Sequence, residues 1–513
     1  MLFGQLNAKH PSYDAETWSR YAALYEGGRR FRENVGAFLE QHPQEPPDVY
    51  AQRKRAAKYK SYVGPIVDFF AAQLMAAALT IRALNDVGGD TVEPDPFYAR
   101  FKEDVDGVGA DLVDFARATF RTCLQKQAAW WLATLPANQN QPPGSRAEWE
   151  ERRLGEVRVC ALEPEAVLDW ELDDAGELLW ACTYECTSPR ASILASRSLK
   201  KHVWRVYDRE RCLTFEKLHD EQKDGPLKAE DEIPLVSNDQ HGFPRVPLIR
   251  VEVPVGLWLL NRVADAQTEH FALSAGLGWA IRRSCYAMPV FMMDGEDNPK
   301  VMGAGYFLKL GQNDKMAWAA PPAQPFEVIA AEKKSEKDEI YRVAQQMAQG
   351  VDNNAAAIGR SGESKLADSS STEVCLKAYG AVMREGVEKL FDLVAAGRKD
   401  PIKFSVSGLD KFNLADAGIT VENSTKAKAL DVPSSTFKEE MLMAAAEAML
   451  PGLDQDKKEA IRKEITAGVA KQEKEAEEAK KKLLEAPPPS SDQDDKPPPP
   501  KPGTSQPPAP PTN

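Results

Sequence analysis

The sequence predicts an α+β protein in which helical segments flank a β-rich stretch, and three observations carry that prediction. Apolar residues recur every three or four positions before residue 136 and again after 254; between Glu156 and Val253 they alternate or cluster as β-branched and aromatic runs; and a Gly- and Pro-punctuated segment near 286 to 328 separates two long helical patterns. With 513 residues, 42% of them apolar, and ten Trp, the chain has material for about three domains.

Residues 12 to 40 read as helical, and their aromatic series Tyr13, Trp18, Tyr21, Tyr25, Phe31 and Phe38 is expected to pack a domain interior. Pro43, Pro46 and Pro47 interrupt that pattern. A basic stretch with Arg53, Lys54, Arg55, Lys58 and Lys60 follows and leads into Val63 to Ile81, a helix apolar on most sides that other elements must cover. Pro65, Asp68 and Gln73 argue against a membrane role for it, because an ionised Asp is costly in a bilayer. Residues 97 to 135 read as helical through LVDFARATFRTCLQKQAAWWLATLP, and the turn-rich PANQNQPPGSR ends them. The β-rich stretch contains VRVCALEPEAVLDWEL, LLWACTYEC, HVWRVYD and CLTFEKL, with turn signals at Asp173-Asp174 and Asp224-Gly225.

Helical periodicity returns over 255 to 284, about 40 Å if continuous, with Gly276 and Gly278 leaving room for a bend or a close crossing. Short strands and turns follow, then a helix from Glu332 to Gln349 and the polar link GVDNNAAAIGRSGESKLADSSS. A helix over 372 to 396 and the strand PIKFSVSG complete the compact part. Residues 436 to 450 and 454 to 485 read as helical, the second almost wholly charged at KQEKEAEEAKKK, and a Pro-rich tail from Pro487 lacks the apolar content to fold.

The formal net charge is -13, so no global basic footprint exists of the kind that grips a duplex by its phosphates. Seven scattered cysteines, an odd number, fit a reducing compartment better than a disulfide framework, and the N-terminus lacks the features of a secretory signal. No GxxxxGK[ST] loop is present; GRSGESK at 359 to 365 has the wrong spacing, and GAGYFLKLG at 303 to 311 lacks the third dinucleotide-binding Gly. Six histidines include no HExxH pair, and Cys182 and Cys186, four apart on one strand face, are expected to be buried apolar thiols. Asp169, Glu171 and Asp173 would project from one side of a strand and could gather a divalent ion for phosphodiester hydrolysis. Their alternates Leu168, Trp170 and Leu172 make this the solvent face of an ordinary strand. No catalytic, cofactor-binding or metal-binding residue is therefore expected.

In order along the chain, YAQRKRAAKYKSYVGPIVDFFAAQL, the β-rich segment entering FPRVPLIRVEVPVGLWLLNRVADAQTEHFALSAGLGWAIRRSCYAMPVFMMDG, and DEIYRVAQQMAQGVDNNAAAIGRSGESK resemble the portal protein, or head-to-tail connector, of tailed bacteriophages over roughly residues 10 to 450. The resemblance implies a wing over 1-254 with a β-rich part at 156-253, a first stem helix at 255-285, a clip at 286-328, a second stem helix at 329-350, and a tunnel-loop region at 351-371. It further implies a wing-to-crown connection at 372-412, a helical crown at 413-486 and a disordered tail at 487-513. A portal is a homo-oligomeric ring, typically of twelve subunits, at a unique capsid vertex of the virion, assembled in the host cytoplasm. Double-stranded viral DNA passes through it during packaging and ejection, and it docks terminase, the major capsid or scaffolding protein, and head-completion or tail adaptor proteins. No membrane anchor and no enzymatic activity are implied. Within this model Lys333, Lys334, Lys337, Arg360 and Lys365 are candidates for proximity to DNA phosphates, whereas Arg53, Arg55 and Lys58 would face a neighbouring subunit or scaffold. The alternatives are a metal-dependent nuclease built on Asp169, Glu171 and Asp173, and a non-channel structural scaffold built on the charged C-terminal helix.

Overall fold

The computed structural model describes residues 1–85, 89–136, 145–189, 199–284, 288–292, 315–319, 324–347, 362–410, 412, 434–450, 457, 460–471 and 474. The chain divides into two compact units, Met1–Leu414 and Ala415–Asn513. The architecture is α+β, and the strand pairings among the described residues are antiparallel.

The first unit opens with helices α1 (Phe3–Leu6), α2 (Ala15–Glu26), α3 (Gly28–Glu33), α4 (Pro47–Ala56) and α5 (Val63–Ala76). The Asp14 carboxylate accepts from Thr17 N and caps α2, while Pro47 starts α4 at a position where no backbone N–H is needed. In α5, Val63, Ile66, Val67, Phe70, Ala71 and Leu74 are fully buried at successive spacings of three, one, three, one and three, which is one wide helical face. Asp68 lies off that face, where it accepts from Tyr25 Oη at 2.9 Å and pairs with Arg121 at 3.0 Å. The polar residue that argued against a membrane span thus marks the wet edge of a core helix. No helix among the described residues is long and apolar enough to cross a membrane.

Two sequence expectations are corrected here. The helix expected over Val63 to Ile81 stops at Ala76, and strand β1 (Leu79–Asn85) follows, pairing with β2 (Thr91–Val92). After α6 (Pro96–Glu103) and α7 (Leu112–Lys126), the run AAWWLAT is strand β3 (Ala128–Thr134) rather than more helix. Gln127, at φ +71°, turns the chain out of α7. β3 then lies between two strands and is buried on both faces, so the alternation that would have revealed it is missing. Trp131 and Trp130 fill opposite sides of it, and Trp131 Nε1 donates to Thr119 Oγ1 at 2.7 Å.

Beyond α8 (Arg146–Glu151) comes β4 (Arg158–Leu162), then a five-stranded meander of β5 (Val167–Leu172), β6 (Leu178–Thr187), β7 (Leu199–Tyr207), β8 (Arg211–Asp220) and, after α9 (Glu221–Asp224), β9 (Leu235–Gln240). Strand β10 (Leu248–Glu252) returns to pair with β3, completing a β10-β3-β4 sheet. One face of the meander packs Val167, Trp170 and Tyr207 against Trp130 and Leu248, and the other packs Leu168, Cys182, Trp204 and Phe215 against Leu6.

The chain then runs through helix α10 (Leu259–Ser284), a hairpin of β11 (Met288–Met292) and β12 (Lys315–Ala319), helix α11 (Gln324–Met347), helix α12 (Gly362–Arg398) and β13 (Ile402–Gly408), which pairs with β1. α10 is continuous through Gly276 and Gly278, and among the described residues nothing lies within 4 Å of the open side of either glycine, so no close crossing occurs there within one chain. A close approach does occur at Gly380 in α12: a Cβ there would fall 1.9 Å from the carbonyl oxygen of Leu409. The central core joins α5, α7, β3, the first half of α10 and α12.

In the second unit, α13 (Ser435–Met449) is capped by Ser434 Oγ, and helical residues 460–471 lie beside it. Arg462 pairs with Glu440 at 2.6 Å and Thr466 Oγ1 donates to Glu439 at 3.2 Å, while Met443 and Val469 are buried.

Candidate functional site

The feature that stands apart from the body is the helix pair α10 and α11 with the β11-β12 hairpin at its far end. At 1.5 Å per residue, the 26 residues of α10 extend about 39 Å and the 24 of α11 about 36 Å. The root is locked in the core. Leu259, Leu260, Val263, Ala264, Phe271 and Ala275 of α10 are buried, as are Ile340 and Ala344 of α11. Hydrogen bonds add direction: Trp258 Nε1 donates to Gln125 O at 3.0 Å, Tyr379 Oη to Leu257 O at 2.7 Å, and Tyr21 Oη to Asn261 Oδ1 at 3.1 Å. The far half is wet, with Ile281 46% and Val328 56% exposed.

Where the two helices meet, Gln267 is wholly buried and holds the loop between α4 and α5 onto α10. Its Oε1 accepts from Tyr62 N at 2.9 Å, and its Nε2 donates to Lys60 O at 3.1 Å. Around Tyr62 gather the His270 ring at 4.9 Å, edge to face, Lys60 Nζ at 5.2 Å and Lys337 Nζ at 5.9 Å. Lys337 also lies 5.3 Å from the centre of Tyr341. His270 is only 4% exposed, and its Nε2, like Ser274 Oγ one turn on, has no hydrogen-bond partner among the described residues. Burial, reinforced by Lys333, Lys337 and Lys60, holds the imidazole down to about 4, so it is neutral at pH 7. On the other side of the seam, burial and then the carboxylates Glu269, Glu339 and Glu332 push the Glu336 carboxyl above its ordinary range.

The five cations proposed for phosphate proximity are therefore not equivalent. Lys334 is exposed, whereas Lys333 and Lys337 are half-buried and close to His270. Arg360 lies outside the described residues, and Lys365 falls within α12 but its side chain is not among those described. Arg53, expected to face a neighbour, is instead inside the chain: its guanidinium takes Glu45 at 2.7 and 2.9 Å and donates to Glu40 O. Arg55 and Lys58 are exposed.

The carboxylate trio does not converge. β-bulges at Val167/Asp169 and Glu171/Leu172 break the alternation, so Val167, Leu168 and Trp170 are all buried while Leu172 is exposed. Each acid has local work. Asp169 accepts from Trp170 N, Glu171 from Trp180 Nε1 at 3.0 Å, and Asp173 pairs with Arg209 at 2.7 Å while accepting from Ala175 N and Glu177 N. Among the described residues no group of three or more His, Cys, Asp or Glu side chains is placed to hold a metal ion. Cys182 is buried as expected, but Cys186, four residues towards the strand end, is exposed. A cavity of about 250 Å³ beside Phe97, Trp149 and Arg398 is a structural junction, in which Arg398 binds Asp400 at 3.0 Å and Gly155 O at 3.0 Å.

No family model matches the chain, and no curated protein matches it. Among solved structures it is similar to a chain in the virion of a native gene transfer agent (GTA) particle, at 11% identity and a TM-score of 0.37, covering 83% of this chain and 99% of that one. It is also similar to a chain in the neck of an empty GTA particle computed with C6 symmetry, at 14% identity and a TM-score of 0.37, covering 80% and 96%. A third, in the neck of a native GTA particle computed with C12 symmetry, gives 13% identity, a TM-score of 0.33, and coverage of 85% and 99%. The coverage is broad and the superposition loose, so the functional reading stands on the chain's own geometry.

Proposed function

We propose that this chain is a portal subunit: many copies, twelve by the family resemblance, close into a ring at a capsid vertex, and double-stranded DNA passes through it during packaging, retention and ejection. One observation carries the reading. A long helix pair is anchored at its root by a continuous core, ends in a two-stranded hairpin, and leaves Ile281 and Val328 in water along its far half. A closed ring covers such a repeated surface on every subunit without leaving an open end. In this arrangement α10 and α11 are the stem, the hairpin segment is the clip that meets terminase and later the head-completion or tail proteins, and the β-rich body is the wing. Residues 351–371 would contribute the tunnel-loop region, although 362–371, expected as part of a polar link, are the start of α12, which begins ten residues earlier than its sequence pattern suggested, and 413–486 would contribute the crown. The overall charge of -13 suits a wall past which a polyanion slides. Of the five candidate cations, exposed Lys334 is the one best able to meet a phosphate, with Arg360 and Lys365 as further candidates.

The conduit is passive and works with a separate ATPase. Electron micrographs of the purified chain, classified by symmetry, are expected to show perforated rings. Particles with solid centres under every assembly condition, or ATP hydrolysis by the chain alone, would refute the proposal.

A further inference from the structure

The helix pair carries two lysines and three glutamates close together, with Lys60 added from the loop before α5, yet none of the six forms an ion pair with an opposite charge among the described residues. Lys60, Lys333 and Lys337 have no carboxylate within 4 Å, and Glu269, Glu332 and Glu336 have no cation, among the described residues. Helical spacing explains the separation. Lys333 and Lys337 are four apart on α11 and share one strip; Glu332 and Glu336, also four apart, share the adjoining one, with Lys333 and Glu336, three apart, side by side at the border yet not ion-paired. Glu269 and His270 are consecutive on α10 and divide in the same way. Glu269 belongs to the electrostatic neighbourhood of Glu336, whereas His270 belongs to that of Lys333, Lys337 and Lys60. Glu339, beyond Glu336, is closed off by Arg342 at 2.6 Å. The seam between the helices thus has a basic flank and an acidic flank, with no ion pair joining them among the described residues.

We infer that these flanks are the two halves of a contact between copies of this chain, with Lys60, Lys333 and Lys337 of one subunit meeting Glu269, Glu332 and Glu336 of the next. The inference rests on the ring reading, because only a head-to-tail contact brings opposite flanks together at every interface. Charge complementarity selects the occupant: a second copy supplies at the same height the carboxylates that the lysines lack. A two-fold dimer joining like flanks would set lysine against lysine, a repulsive juxtaposition. The flanks therefore favour the direction of assembly that closes a ring.

The test uses the full chain in two charge-reversed forms, K333E/K337E and E332K/E336K, with assembly followed by mass photometry and electron microscopy, and folding checked by thermal melting. Each form alone has like charges at every interface and is expected to lose the ring species at concentrations where the parent assembles. Mixed in equal amounts, the two restore opposite charges at every interface of an alternating ring, and rings are expected to return. Raising salt from 0.1 to 1 M, which shortens the Debye length from about 10 to about 3 Å, is expected to weaken parental assembly. Rings from either reversed form alone, or no rings from the mixture while both forms melt like the parent, would overturn the inference and leave the ring reading intact. A parent that never forms rings would instead remove the ring reading itself.

Discussion

Lowering the pH from 7 to 5 probes how His270 is held at the root of the helix pair. Its pKa in the folded chain is held down to about 4, against an ordinary value of 6.5, by burial first and by Lys333, Lys337 and Lys60 second. The unfolded chain therefore takes up this proton before the folded one does. The stabilisation from the neutral imidazole is complete above pH 6.5 and drains away as the pH falls towards 4. Linkage gives a loss of about 2 kcal/mol between pH 7 and pH 5 from this one group. A suitable comparison is His270→Phe, which keeps an aromatic ring against Tyr62 and removes a buried nitrogen that has no hydrogen-bond partner among the described residues. Native-state hydrogen exchange of the α10 segment in the unassembled chain, parent and variant measured at the same pH, reads the opening free energy with the intrinsic exchange rate cancelled. The parent is expected to lose about 2 kcal/mol more protection than the variant between pH 7 and pH 5. Parallel pH dependences would show that His270 titrates normally, and the account of a dry, cation-flanked imidazole would be wrong.

Two further outcomes follow from packing. Glu45→Ala strands the buried Arg53 guanidinium and is expected to destabilise the first unit by about 3–5 kcal/mol, whereas replacing both residues by apolar ones of similar volume is expected to cost far less; thermal and urea unfolding of the pair separate the cases. Gly380→Ala forces a Cβ against Leu409 O and is expected to cost about 1–3 kcal/mol, while Gly276→Ala, in open space on α10 in the single chain, is expected to stabilise by about 0.5–1 kcal/mol; opposite shifts in melting temperature check both.

Much of this fold was legible in the residues. The spacing of apolar side chains in Val63 to Leu74 marked a covered helix, alternation and turn residues marked the strands from β4 to β8 but not β9, and the order of helix, short β segment and helix from 255 to 349 marked the long helix pair. These signals are local: a helix or half-buried strand displays its periodicity within one stretch of chain. The tertiary structure decided what depends on neighbours distant in sequence. AAWWLAT became a strand because β10 and β4 flank it and cover both of its faces, which erases the alternation. The acids at 169, 171 and 173 were dispersed by bulges and by partners such as Arg209. Arg53 went inside because Glu45 and the Glu40 carbonyl surround it. The division of α10 and α11 into a basic and an acidic flank exists only once residues 60, 269 to 270 and 332 to 337 are brought together. Composition sets how many charges a chain carries, but folding sets which of them find a partner, because Coulomb energies depend on separations in space and on burial rather than on distance along the chain.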